Sequence, residues 1–160
     1  MKYLVKCVRL DHFGRGIAYI KEKIVFINNL LPTEKAYIKI IKNKKNYSIG
    51  KIISLEEVSN DRIKPKCPYL NCGCALKHLS YEKQLEFKEE KIKDILKRYA
   101  GVDSKINKII PSDNINGYRN KITLKIDGYV GYHENESNRI ITIDRCELAS
   151  NKMNDIIKVL

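Results

Sequence analysis

Cysteine placement restricts this chain more than any other feature. Three cysteines fall in the short run Cys67-Pro68-Tyr69-Leu70-Asn71-Cys72-Gly73-Cys74, and a fourth, Cys146, lies far downstream on a strand-like stretch. Four thiols from two separated segments can close around one centre, and a compact loop plus a remote ligand suits an iron–sulfur cluster or zinc. Cys-x4-Cys-x-Cys contains no Cys-x2-Cys pair, so it is not a standard zinc-finger spacing. Gly73 lets the backbone turn sharply between two ligands, and Pro68 stiffens the entry. The opposing reading is a set of incidental buried thiols. It is disfavoured because clustered cysteines are prone to oxidation. Cys7 stands apart in an alternating stretch and reads as a small buried residue. His78 is either a further ligand or a capping or packing residue ahead of a helix, and the second reading is adopted.

The thiol reading assumes a reducing compartment. No apolar run approaches the roughly 20 residues that span a bilayer. Met1-Lys2-Tyr3-Leu4-Val5-Lys6 lacks the apolar core of a signal peptide. A cytoplasmic chain is expected, where clustered cysteines favour a metal over disulfides.

Charge points to the partner. The net charge is +12, but residues 1–55 carry 12 basic and 3 acidic side chains while residues 56–160 carry 19 and 16. The N-terminal third is therefore the polyanion-facing part, with nucleic acid as the expected partner. A membrane surface is the weaker alternative, because the cations lie on strand-like segments rather than on an amphipathic helix.

Residues 1–55 read as five short strands: Tyr3–Leu10, Ile17–Ile20, Ile24–Ile27, Ala36–Ile41 and Ser48–Ser54. Asn28-Asn29, Pro32 and the basic turn Lys42-Asn43-Lys44-Lys45-Asn46 separate them. This pattern predicts a small barrel of the oligonucleotide-binding type. Ser80 reads as the N-cap of a helix, with Glu82 in its first turn, Leu85, Ile92, Ile95, Leu96 and Tyr99 at helical spacing, and Gly101 as the stop. From Tyr118 strands resume. Lys121–Ile126 alternates, Asp127-Gly128 turns, Tyr129–Tyr132 continues, and Ile140–Ile143 leads to Cys146. Lys152–Leu160 opens a second helix. The fold class is mostly β with α.

Two segments carry RNA-binding chemistry. Phe13-Gly14-Arg15-Gly16 interleaves a ring that can stack a base, a cation for phosphate and glycines for close approach, although a plain tight turn explains it equally. Gly14-x-Gly16 is not a dinucleotide fingerprint, since Tyr19 stands where the third glycine belongs. Tyr118-Arg119-Asn120-Lys121 is either an RNA contact or a structural strand start. The candidate RNA residues are Phe13, Arg15, Lys44 and Lys45, then Arg119 and Lys121. His12 reads as RNA-facing and His133 as a surface residue. No nucleophilic triad, paired-carboxylate site, Walker loop or S-adenosylmethionine loop is visible.

Taken together, Leu10-Asp11-His12-Phe13-Gly14-Arg15-Gly16-Ile17-Ala18, Leu30-Leu31-Pro32-Thr33-Glu34, Cys67-Pro68-Tyr69, Cys72-Gly73-Cys74, His78-Leu79-Ser80-Tyr81-Glu82, Tyr118-Arg119-Asn120-Lys121, Gly131-Tyr132 and Cys146-Glu147-Leu148 resemble the N-terminal half of the TRAM-domain RNA (uracil-5-)-methyltransferases, which modify uridine in 23S ribosomal RNA and transfer RNA. The resemblance implies a TRAM barrel over 1–56, a linker over 57–66, and over 67–160 a central α+β RNA-binding domain with antiparallel strands and an iron–sulfur loop. It implies a [4Fe-4S] cluster on Cys67, Cys72, Cys74 and Cys146, with zinc as the alternative. The loop departs from the family pattern, with four and then one intervening residue in place of five and two. In the family the cofactor domain, the nucleophile and the general base follow the central domain. The chain ends at Leu160, ahead of them, and no cysteine here stands in the nucleophile's context. The expectation is therefore a monomeric RNA-recognition and cluster module that needs S-adenosylmethionine only within a complete enzyme. A stand-alone RNA-binding adaptor with a cysteine-bound metal is the second reading.

Overall fold

The computed structural model describes residues 1–103 and 105–160. They fall into two compact units. The first comprises Met1–Lys64 and Ala75–Ile109, the second Pro65–Cys74 and Ile110–Leu160.

The first unit is built on a six-stranded sheet. Its strands are β1 (Tyr3–Lys6), β2 (Arg9–Leu10), β3 (Gly16–Ile20), β4 (Lys23–Ile27), β5 (Lys35–Asn43) and β6 (Tyr47–Glu57), in the order β1-β5-β6-β4-β3-β2. All neighbours are antiparallel except β4 and β6. The expected five-stranded barrel is thus corrected to an open six-stranded sheet. Tyr3–Leu10 is not one strand. At its middle, Cys7 N–H donates to the Glu34 carbonyl (2.9 Å) and Val8 N–H to that of Ile17 (2.8 Å), so the chain leaves β5 and takes up β3. The two edges, β1 and β2, are consecutive segments separated by two residues, and the sheet curls far round without a hydrogen-bonded ladder closing it.

Period-two alternation builds its core. Val5, Ala18, Val25, Ile27, Ala36 and Ile38 point inward with Cys7 and Leu30. Each fully buried large side chain contributes roughly 1.5–3 kcal/mol, and truncating Ile38 to Ala costs roughly 2–5 kcal/mol. One charge is buried among them. Glu34 is fully buried and receives a two-pronged pair from Arg62 (Nε to Oε1 2.6 Å, Nη2 to Oε2 2.8 Å), together with the Leu31 and Ser59 amides. Burial alone would raise its pKa, but Arg62 and the amides hold it below the ordinary carboxylate value.

Helix α1 (Tyr81–Ile95) starts after Ser80, whose carbonyl accepts from Gln84 N–H. It widens into a single π-turn over Leu96–Ala100 and stops at Gly101, in the left-handed conformation with φ +66°. The expected apolar stripe is not a core face, for no α1 residue is fully buried and Ile92 and Tyr99 are exposed.

In the second unit, β7 (Lys125–Ile126), β8 (Val130–His133) and β9 (Ile140–Thr142) form an antiparallel meander. The strand expected over Lys121–Ile126 pairs only at its last two residues. Ahead of it the chain turns to the residues after Cys146: Arg119 N–H donates to Leu148 (2.8 Å), and Ser150 N–H to Arg119 (2.9 Å). Helix α2 (Asn151–Ile157) is capped by Ser150, whose side chain accepts from Met153 N–H. Ile143, Cys146, Ala149 and Ile157 form the small core, packed by Tyr69, Ile122, Leu124, Tyr132, Leu148 and Met153.

Candidate RNA-binding surface and thiol cluster

In the first unit, the turn between β2 and β3 is organised by Asp11. Its carboxylate accepts from the Phe13 and Arg15 amides (2.9 and 2.8 Å) and from Arg15 Nε and Nη2 (2.7 Å each). Gly14 takes φ +81°, a left-handed position that a side chain would strain. Phe13 is left 74% exposed at the tip. The Arg15 guanidinium lies between two rings, 5.4 Å from the Phe13 centroid and 4.4 Å from that of Phe26. Phe26 in turn meets Tyr47 edge-on at 5.6 Å.

This row ends at the basic turn. Lys44 N–H donates to the Tyr47 carbonyl (2.9 Å), and Lys23 Nζ reaches the Asn43 side chain and the Lys44 carbonyl. Phe13 and Arg15 are therefore linked to the turn that carries Lys44 and Lys45 through two residues that the sequence did not single out, Phe26 and Tyr47. The signal was available in part, since both are aromatics on neighbouring strands. Their adjacency depends on the parallel β4–β6 register, which one sequence does not reveal. His12 lies instead toward α1, with Nε2 3.9 Å from Asp94.

In the second unit, the cysteine loop and Cys146 share one compact body. The loop is tied down at two points. Tyr69 Oη donates to Asp144 Oδ1 (2.6 Å), and Asn135 N–H donates to the Asn71 carbonyl (2.7 Å). Cys146 is held by Asn154, whose Oδ1 accepts from the Cys146 amide (2.7 Å) and whose Nδ2 donates to the Cys146 and Ala149 carbonyls (3.1 Å each). Tyr132 Oη donates to Cys146 Sγ at 3.8 Å. Burial first, then the neighbouring sulfur, pushes the Tyr132 hydroxyl up to about 12, so it stays a donor at neutral pH. Arg119 is fixed beside this turn by its backbone pairing with Leu148 and Ser150. Lys121 precedes the short β7 on an exposed stretch. All five cysteines are unbridged thiols.

The donor chemistry, four thiols, suits a soft metal. The geometry does not close: among the described residues no three His, Cys, Asp or Glu side chains are gathered as metal ligands. His78 lies in the first unit, 2% exposed, as a packed residue. Cys7 is likewise buried, which pushes its thiol up to about 12.

No helix among the described residues is long and apolar enough to cross a membrane. Residues 2–53 match the TRAM domain. Beyond that domain, the chain is 35% identical to an uncharacterized RNA methyltransferase of Clostridium tetani, over 92% of this chain and 34% of the relative. It is 31% identical to the 23S rRNA (uracil(1939)-C(5))-methyltransferase RlmD of Vibrio parahaemolyticus, over 96% of this chain and 37% of the relative. Its fold superimposes with a TM-score of 0.67 and 26% identity on the Pyrococcus abyssi tRNA (uracil-54, C5)-methyltransferase, solved with S-adenosyl-L-homocysteine, covering 96% of this chain and 35% of that one. The fold is thus that of a TRAM-bearing RNA-methyltransferase N-terminus. Over most of its length the chain is similar to the N-terminal part of RNA methyltransferases, and it spans about a third of the length of the curated relatives it matches.

Proposed function

We propose that this chain is the RNA-recognition and cysteine-metal module of an S-adenosylmethionine-dependent RNA (uracil-5-)-methyltransferase acting on ribosomal or transfer RNA, a monomer working in the cytoplasm. The observation that carries the reading is the TRAM match over residues 2–53, on the segment that holds most of the excess positive charge. That charge binds RNA backbone by releasing counterions. Phe13, Arg15, Lys44 and Lys45 serve the first unit's RNA surface, and Arg119 and Lys121 that of the second.

Cys67, Cys72, Cys74 and Cys146 are the proposed ligands of a [4Fe-4S] cluster, with zinc the alternative. Their support is the shared compact unit, the docked loop and the clamped Cys146. Loading then requires the loop to draw in around Cys146, and it serves structure rather than redox chemistry. Methyl transfer belongs to the whole enzyme, and this chain binds RNA without methylating it.

The test is anaerobic purification followed by iron, sulfide and zinc analysis beside Cys146→Ser, with RNA binding and methyl transfer measured on the same material. About four irons and four sulfides per chain, lost in the variant, together with RNA binding and no methyl transfer, is the expected result. No RNA binding, or methylation by the chain alone, rejects the reading. Metal-free protein rejects its cysteine half.

A further inference from the structure

We infer that the row Phe13–Arg15–Phe26–Tyr47 is a stacking site for unpaired RNA bases, in which Phe13 takes the base and Arg15 is a positioning residue rather than a phosphate contact. This rests on the RNA-binding reading above and adds the strand state of the ligand and the division of roles.

Three observations carry it. First, Phe13 is 74% exposed yet is not loosely held: Asp11 fixes its amide, and the Arg15 guanidinium lies 5.4 Å from its ring. A large apolar ring displayed rigidly to water binds a planar partner with little ordering cost.

Second, the Nε–Nη2 edge of Arg15, the fork that would grip a phosphate side-on, is committed to Asp11. Nε and Nη2 both lie 2.7 Å from Asp11, so the pair is formally neutral. Its planar face is occupied by Phe26 at 4.4 Å, and Phe26 is backed by Tyr47 at 5.6 Å. The guanidinium acts as the shim between two rings, keeping Phe13 upright.

Third, the row ends at a turn pinned by Lys23 and carrying Lys44 and Lys45. Stacking and backbone attraction are thus arranged end to end, as a single strand requires. Bases inside a duplex have both faces covered, so an exposed ring gains nothing from them, whereas splayed-out bases stack readily on Phe or Tyr.

The experiment uses the full chain and a short fluorescein-labelled oligouridylate, alone and annealed to its oligoadenylate complement, titrated over a range of salt. Phe13→Ala, an exposed position, leaves the melting temperature unchanged. It is expected to weaken single-strand binding by about 5- to 150-fold, with little effect on the duplex and an unchanged salt slope. Arg15→Gln keeps a hydrogen bond to Asp11 without the charge, and it is expected to weaken single-strand binding, again with the slope unchanged. The double variant Lys44→Ala, Lys45→Ala flattens the slope by roughly 1.4. Wild-type single-strand affinity in Phe13→Ala, with the lysine effect intact, overturns the stacking site and leaves RNA binding standing. A slope reduced by about 0.7 in Arg15→Gln makes Arg15 a phosphate ligand and overturns its assigned role. Failure of the wild-type chain to bind either RNA overturns both readings.

Discussion

His78 and Glu34 illustrate opposite ways of burying a titratable group. Neither ring nitrogen of His78 has a hydrogen-bond partner among the described residues. Burial pushes its pKa down to about 4, with the Arg62 charge acting in the same direction and Glu34 opposing it. The unfolded chain therefore binds a proton near pH 6.5 that the folded chain refuses until about pH 4. The stability that follows is fully present above pH 6.5 and is lost as pH falls toward 4, by about 3 kcal/mol. His78→Leu is expected to flatten urea-unfolding stability across that window and to match or exceed the wild type at pH 5, because it removes two unpaired polar atoms. Retention of the wild-type pH dependence would show that another group is responsible. Glu34 is fully paired, and its lowered pKa contributes stability that is present above the ordinary carboxylate value and lost below it. Arg62→Ala leaves that charge buried without its cation, held only by the Leu31 and Ser59 amides, which costs roughly 3–5 kcal/mol; thermal melts at pH 7 check it. Packing of His78 was legible from its place ahead of a helix. The Glu34–Arg62 pair was not, because nothing local links two residues so far apart in the chain.

At the scale of elements, the second unit depends on one small helix. Asn154 on α2 makes three hydrogen bonds to the turn carrying Cys146 and Ala149. Asn154→Ala is expected to destabilise this unit by roughly 1–3 kcal/mol, since the Cys146 amide is left without its partner. Faster labelling of Cys146 by a thiol reagent, with the other cysteines replaced, checks it; an unchanged rate would mean that the turn holds itself. The strands β3 to β6 were legible as short apolar runs between breakers, and α1 from Ser80 before it and Gly101 after it, although the Ser80 side chain makes no cap hydrogen bond; Ser150, which does cap α2, was not singled out. The break at Cys7-Val8 was not, because apolar alternation runs through it and only the competing partners β5 and β3 reveal the switch. The shortness of β7 was hidden for a similar reason, as Lys121–Leu124 alternates yet the chain before it is held by Leu148.

For the whole molecule, the sequence pointed to the basic first unit and to the pairing of a cysteine loop with a remote cysteine, because charge and cysteine count are properties of composition. It did not show how the loop docks through Tyr69 and Asn71, nor that among the described residues no three ligating side chains are gathered. It showed Phe13, Phe26 and Tyr47 only as separate aromatics, since their alignment follows from the strand order. That order has a further consequence. The last strand to leave the ribosome, β6, lies at the middle of the sheet, between β5 and β4. Until residues 47–57 are made, β1-β5 and β4-β3-β2 share no strand ladder and are tied only through the Cys7-Val8 crossover and their apolar faces, and small ribbons alone are marginal. Assembly of the first unit must therefore wait for its final eleven-residue strand. A nascent chain halted at residue 46 should show none of the amide protection of the finished sheet, and one released a dozen or so residues later should acquire it in a single step.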